Sequence, residues 1–249
     1  EGVNNLPIHV KIDTGMHRLG FSSEEMPRLI ERLHTQRAVI VRSVFSHFVG
    51  SDSPQFDAFS REQIALFEQA SSALQAACPH KILRHICNTA GIERFPEAHY
   101  DMVRLGLGLY GISPIDNAIL HNVSTLKTTI LQIRDVASAD TVGYSRKGVL
   151  KRPSRIAALP IGYADGLNRH LGNGGAYCLV NGQKAYYVGN ICMDVCMIDV
   201  TDIDCREGDM VEIFGDNLPI TVLSDALNTI PYEVLTTISN RVKRVYFQG

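Results

Sequence analysis

The sequence predicts an α/β chain in two parts: a β/α region with parallel strands, then a mainly antiparallel β domain. Three observations lead there. In the first 120 residues, short apolar runs alternate with helical periodicities. Beyond about Leu120, runs suited to strands follow one another at short intervals with turn signals between them. A length of 249 residues suits one large domain or two ordinary ones.

Val10 to Ile12 reads as a strand, and Gly15 and Gly20 punctuate the loop after it. Ser23 to Gln36 reads as a helix, with Ser23 as its N-cap and Leu29, Ile30 and Leu33 on one face. Val39 to Phe48 is a strand rich in β-branched and aromatic residues. Ser60-Arg61-Glu62-Gln63 fits a capping box opening a helix that ends near Cys78, with Ile64, Phe67 and Leu74 on its apolar face. Ile82 to Asn88 and Met102 to Leu105 complete about four strands, which right-handed crossovers would make parallel. A closed (β/α)8 barrel needs about eight strands, and four alone leave two open edges.

The second part opens with a long strand, Thr125 to Val136. Ile156 to Leu159, Tyr177 to Val180, Ala185 to Val188, Met197 to Val200 and Met210 to Phe214 follow. Asn181-Gly182 between two of them is a strong hairpin signal. Helical segments near Val222 to Leu227 and Tyr232 to Ile238 come late. At the ends, Glu1 to Pro7 run directly into the first strand, as expected of a fragment or of a chain numbered from a cleavage point. Tyr246-Phe247-Gln248-Gly249 coincides with the end of a common tag-protease site, although Val245 to Phe247 also reads as a strand end.

Lys plus Arg is 24 and Asp plus Glu is 26, a net charge of −2. Hydrophobic residues make up 45% and charged residues 20%, the composition of a globular protein rather than a disordered or fibrous one. No apolar run approaches the roughly 20 residues of a membrane-spanning helix. No Lys/Arg block suggests a nucleic-acid groove. Residues 1–120 carry 11 basic and 13 acidic groups and residues 121–249 carry 13 of each, so function must come from a few placed residues. Cys78, Cys87, Cys178, Cys192, Cys196 and Cys205 contain no CxxC pair; they are expected to be reduced thiols of a cytoplasmic protein, with no metal site.

The chemistry-bearing residues cluster at strand ends, where α/β folds build their sites. Lys11-Ile12-Asp13-Thr14-Gly15-Met16-His17-Arg18-Leu19-Gly20 is the densest segment; an Asp13–Arg18 pair that staples the loop is its plainest structural explanation. Ser46-His47-Phe48 adds an imidazole. His85-Ile86-Cys87-Asn88-Thr89-Ala90-Gly91 offers a hydroxyl and small residues suited to a phosphate. Arg104-Leu105-Gly106-Leu107-Gly108-Leu109-Tyr110-Gly111 permits close ligand approach. In the second part, Val142-Gly143-Tyr144-Ser145, Ile161-Gly162-Tyr163-Ala164-Asp165-Gly166 and Ile191-Cys192-Met193-Asp194 bring two phenols and a carboxylate.

Taken in order, KIDTGMHRLGF, SHF, HICNTAG, MVRLGLGLYG, VGYS, IGYADG, ICMD and the terminal RVKRVY resemble the alanine racemases, which use pyridoxal 5′-phosphate (PLP). The resemblance runs from about His9 to Tyr246. It implies an eight-stranded (β/α)8 barrel followed by a β domain. Residues 1–120 would then be the C-terminal half of a PLP-binding barrel, with about four β/α units, and residues 121–249 the C-terminal β domain. It also implies a homodimer that interconverts L- and D-alanine, for peptidoglycan, through a PLP aldimine and two opposed bases.

By the same resemblance, Tyr144 is one base, reaching the other subunit's cofactor. Arg104 hydrogen-bonds the pyridine nitrogen, His47 supports it, and Thr89, Gly106 and Leu107 contact the phosphate. Arg18 lies near the tyrosine and the substrate carboxylate, and Met193, Asp194 and Tyr163 line the substrate end. Lys11 aligns with a lysine that is carbamylated in some members. Two departures stand out. Asn240 occupies the place of a tyrosine that touches the phosphate in many members. The run Lys-Ala-x-x-Tyr-Gly-x-Gly, which carries the Schiff-base lysine, does not occur in these 249 residues. A C-terminal portion lacking the first half of the barrel, inactive alone, is therefore expected. A serine or broad-specificity racemase, a racemase module of a fusion protein, and a non-catalytic dimerisation or binding module are the alternatives.

Overall fold

The computed structural model describes residues 4–116 and 119–247, so the terminal Gln248 and Gly249 lie outside the described residues. The chain divides into two compact units, Glu1–His121 and Asn122–Gly249.

In the first unit, β1 (Leu6–Lys11), β2 (Val39–Phe45) and β3 (Leu83–His85) form a parallel sheet in that order. Helices α1 (Met26–His34), α2 (Asp57–Ala77) and α3 (Thr89–Arg94) follow the strands in turn. Successive side chains on a strand point to opposite faces. Val10, Ile12, Val44 and Ile86 belong to a buried apolar core together with Met26 of α1 and Phe67 and Leu74 of α2. His9, Lys11, Ser43, Phe45 and His85 alternate with these core positions, as their pairing registers require, and so share the other face. A sheet face carrying two histidines, a lysine and a serine is a site rather than a core.

Met102 to Leu105 is not a strand, so the sheet has three members where the sequence suggests four. The segment still runs beside β3: Asp101 N–H donates to Arg84 O and Arg104 N–H to Cys87 O, at 3.1 and 3.0 Å. These bonds hold the segment in place without a full ladder. The strands Val39 to Phe48 and Ile82 to Asn88 are shortened to β2 and β3. Both helix starts also differ. Ser22, not Ser23, caps the first helical turn, and its N–H donates to Glu25 Oε2 at 2.9 Å. A Pro54–Phe56 turn starts α2 upstream of Ser60, which leaves Ser60 buried inside the helix rather than at its cap.

The second unit is antiparallel throughout. β4 (Leu126–Thr129), β9 (Tyr177–Val180), β10 (Gln183–Tyr186) and β12 (Met210–Phe214) form one sheet in the order β10-β9-β12-β4. A second sheet has β5 (Gln132–Val136), β8 (Ser154–Leu159) and β11 (Cys196–Asp199), ordered β11-β8-β5. A two-stranded ribbon joins β6 (Thr141–Val142) and β7 (Gly148–Val149). The single long strand read from Thr125 to Val136 is two strands in different sheets. The switch falls between adjacent residues: Ile130 N–H bonds Asp209 O, and Leu131 N–H bonds Ala158 O. Asn181 and Gly182 turn β9 into β10 with φ of 50° and 77°, as a two-residue hairpin of this type requires. α4 (Thr221–Ala226) and α5 (Pro231–Thr237) close the unit, and Val245 to Phe247 forms no strand.

Candidate active site

The polar face of the first sheet converges on Arg104. Its Nη1 donates to His85 Nδ1 at 2.6 Å. Its Nη2 meets Ser46 O at 2.6 Å, His47 Nδ1 at 3.0 Å and Ile86 O at 3.2 Å. The guanidinium lies over the Phe45 ring, 5.4 Å from its centre, and His85 stacks on the same ring. Burial lowers the Arg104 pKa, but a guanidinium in this range stays charged. Both histidines are pushed down to about 4, by burial first and by Arg104 second. They are therefore neutral at pH 7 and accept through Nδ1. With both terminal nitrogens engaged, Nε–H is the donor left without a partner among the described residues.

His85 was absent from the sequence-derived site; the only signal for it was its place in a strand-end run already noted for Thr89. Gln63 was also missed. It is fully buried on α2, where its Nε2 donates to Thr14 Oγ1 and His47 O and its Oε1 accepts from Val49 N–H, all at 3.0–3.1 Å. Thr14 Oγ1 in turn bonds Ser46 Oγ at 2.7 Å. The backbone on both sides of Phe48 is thus held from α2.

Thr89 opens α3, whose N-cap Asn88 accepts from Gly91 N–H at 2.9 Å. Thr89 Oγ1 accepts from Gly106 N–H at 3.1 Å and Gly108 N–H at 3.2 Å, which frees its own hydroxyl hydrogen to donate. Leu107 N–H lies between these two and has no partner among the described residues. Hydroxyl and amide donors gathered at a glycine-rich turn suit a phosphate.

Asp13 holds the loop after β1, accepting at Oδ1 from Gly15, Met16 and His17 N–H, each at 3.0 Å. Burial raises its pKa, but these N–H groups and His17 outweigh burial and hold the carboxyl below its usual value. Its ion-pair partner is His17 at 3.4 Å, not Arg18, which corrects the simple staple read from the sequence. Arg18 is exposed, and its guanidinium has no ion-pair partner among the described residues. Lys11 is lowered from the usual lysine value, by burial first and then by Arg18.

In the second unit, residues 189–194 form a hub. Asn190 Nδ2 donates to Tyr144 O at 3.2 Å. Tyr163 and Ala164 N–H donate to Cys192 O and Met193 O, each at 3.0 Å. Gly162 has to be glycine here, because a Cβ would collide with the Cys192 and Met193 carbonyls. Arg241 then bridges Asp165 at 2.6 Å and Asp194 at 2.5 Å. This brings Tyr144, Tyr163, Met193 and Asp194 onto one scaffold, and Tyr144 presents an exposed ring from a turn with left-handed residues on both sides. Asn240 is exposed beside Arg241 in sequence. No helix among the described residues is long and apolar enough to cross a membrane.

Residues 2–114 match the profile described as alanine racemase, N-terminal domain, and residues 123–246 that of the C-terminal domain. Alanine racemase 1 of Oceanobacillus iheyensis is 38% identical over 96% of this chain and 66% of its own length. Alanine racemase 2 of Caldanaerobacter subterraneus is 41% identical over 96% of this chain and 64% of its own. The chain thus spans just under two thirds of these relatives. The crystal structure of the biosynthetic alanine racemase from Pseudomonas aeruginosa superposes with a TM-score of 0.85, at 30% identity, over 99% of this chain and 68% of that one. That of the Bartonella henselae enzyme, with covalently bound pyridoxal phosphate, gives 0.86 at 32% identity over 97% and 66%. The chain belongs to the alanine racemase family.

Proposed function

We propose that this chain is the C-terminal portion of a PLP-dependent alanine racemase, an isomerase that interconverts L- and D-alanine. Residues 1–120 contribute the C-terminal half of the barrel and residues 121–249 the β domain. The observation that carries this reading is the Arg104 cage: a permanently charged donor fixed by two neutral histidines, with Nε–H unpaired. That donor suits a pyridine nitrogen, and the turn of Thr89, Gly106 and Leu107 suits the phosphate, so the residues present fit PLP. When bound, PLP supplies an electron sink for the carbanion at the amino acid's α-carbon.

The chain's own groups do the rest. Arg104 donates to the ring nitrogen and, being unable to give up its proton at pH 7, keeps that nitrogen unprotonated. His47 accepts from Arg104 and sets its direction. Tyr144 takes or returns the α-proton on one face, acting in the partner subunit's site of a homodimer. Arg18 meets the substrate carboxylate, and Tyr163, Met193 and Asp194 line the substrate end. A carbamate on Lys11 would set an anion beside Arg18. Inversion needs proton carriers on both faces of the α-carbon. The lysine of the family's Lys-Ala-x-x-Tyr-Gly-x-Gly run has no counterpart here, so these residues hold one carrier and are inactive alone. The complete enzyme acts in the cytoplasm to supply D-alanine for peptidoglycan.

Hydrogen exchange at the α-carbon in deuterated solvent tests the central role. Tyr144→Phe in the complete enzyme is expected to slow exchange of one enantiomer by about 10²–10⁴-fold while the other still exchanges and PLP stays bound. Equal loss for both enantiomers with weakened PLP binding would remove Tyr144 from the reaction.

A further inference from the structure

The support of Arg104 continues past His85 across the whole sheet. His85 Nε2 lies 3.2 Å from Ser43 Oγ, and Ser43 Oγ lies 2.5 Å from His9 Nδ1. The direction of every bond follows from the guanidinium. Arg104 only donates, so His85 Nδ1 is bare and its proton sits on Nε2. That proton goes to Ser43 Oγ. Ser43 is fully buried and has no other partner among the described residues, so its own hydrogen goes to His9 Nδ1. Reversing the first link would set two donors face to face beside a buried positive charge, and reversing the second would leave the buried Ser43 hydrogen without an acceptor.

The backbone is shaped for this chain. β1 and β2 pair with Ile8 opposite Val41 and then His9 opposite Ser43, skipping Arg42. Bulges of this kind re-aim side chains next to sites. Without the skip, His9 would face Arg42 rather than Ser43, and the side chains beyond it would fall on the wrong face.

We propose that Ser43 and His9 are positioning residues for Arg104: acting through His85, they hold it in the one tautomer that can accept from the guanidinium. The proposal rests on the reading of Arg104 as the partner of the PLP ring nitrogen. Neither residue touches the cofactor; each fixes the next donor in line.

Long-range ¹H–¹⁵N correlation of the histidine rings tests it on this chain without cofactor. In the wild type, His85 is expected to show a bare Nδ1 and a protonated Nε2. Ser43→Ala leaves the Nε2–H unpaired and should turn the His85 signals into a tautomer mixture, whereas Ser43→Thr, which keeps the hydroxyl, restores them. His9→Phe, on the exposed strand, should move them the same way by less. In the PLP-loaded enzyme, Ser43→Ala should lower racemisation about tenfold, with Ser43→Thr close to wild type. A wild-type His85 protonated at Nδ1, or His85 signals indifferent to both Ser43→Ala and His9→Phe, would overturn the proposal. If the tautomers respond as stated but Arg104→Lys leaves the absorbance of bound PLP unchanged, the tautomer chain stands and the role of Arg104 in cofactor binding fails.

Discussion

Arg104 shows how one residue organises a site. Burial first, and the Arg104 charge second, keep His47 and His85 neutral. This has a consequence for stability. A histidine freed by unfolding regains its ordinary pKa of 6.5, so the unfolded chain takes up protons before the folded one does. Stability conferred by the cage is present above pH 6.5 and is lost as pH falls toward 4. Urea unfolding should show about 1–3 kcal/mol lost per histidine across that window. His85→Gln, which still accepts from Arg104 but does not titrate, should flatten the slope; an unchanged slope would mean that His85 does not carry it. Lys11, His47, Thr89 and Arg104 could be singled out in the sequence, because each lies at or just past the end of a run that reads as a strand. His85, Ser43 and His9 were not, since their roles depend on which strands are neighbours and on a one-residue skip in register.

Among the elements, α2 illustrates the same limit. Its apolar stripe was readable, and Phe67 and Leu74 are indeed in the core. Gln63 passed for a capping residue because polar residues at that spacing usually are. With α2 beginning at Asp57, Gln63 is instead turned inward to hold the His47 backbone. Gln63→Leu would leave Val49 N–H and His47 O without the buried amide that bonds both. It is expected to cost about 2–4 kcal/mol and to speed hydrogen exchange at Val49 well beyond that at the sheet interior. Equal acceleration throughout the unit would point to global loosening instead. The hairpin at Asn181-Gly182 was readable because turn chemistry is local. The break at Ile130 and Leu131 was hidden, because alternation is identical on both sides and only the partner strand changes.

At the scale of the whole molecule, Arg104 and the turn of Thr89, Gly106 and Leu107, the proposed cofactor contacts, belong to one unit and Tyr144, the proposed base, to the other. The change of pattern near Leu120 was visible as a change from crossovers to hairpins. What the family resemblance added was the cofactor and the need for a second proton carrier. Reduction with borohydride in the presence of PLP, followed by peptide mass mapping, addresses that need most directly. These 249 residues are expected to show no visible absorbance of covalently held PLP and no lysine modified in stoichiometric yield. One lysine of this chain carrying a full equivalent of the pyridoxyl group, with that absorbance lost on reduction, would contradict the account.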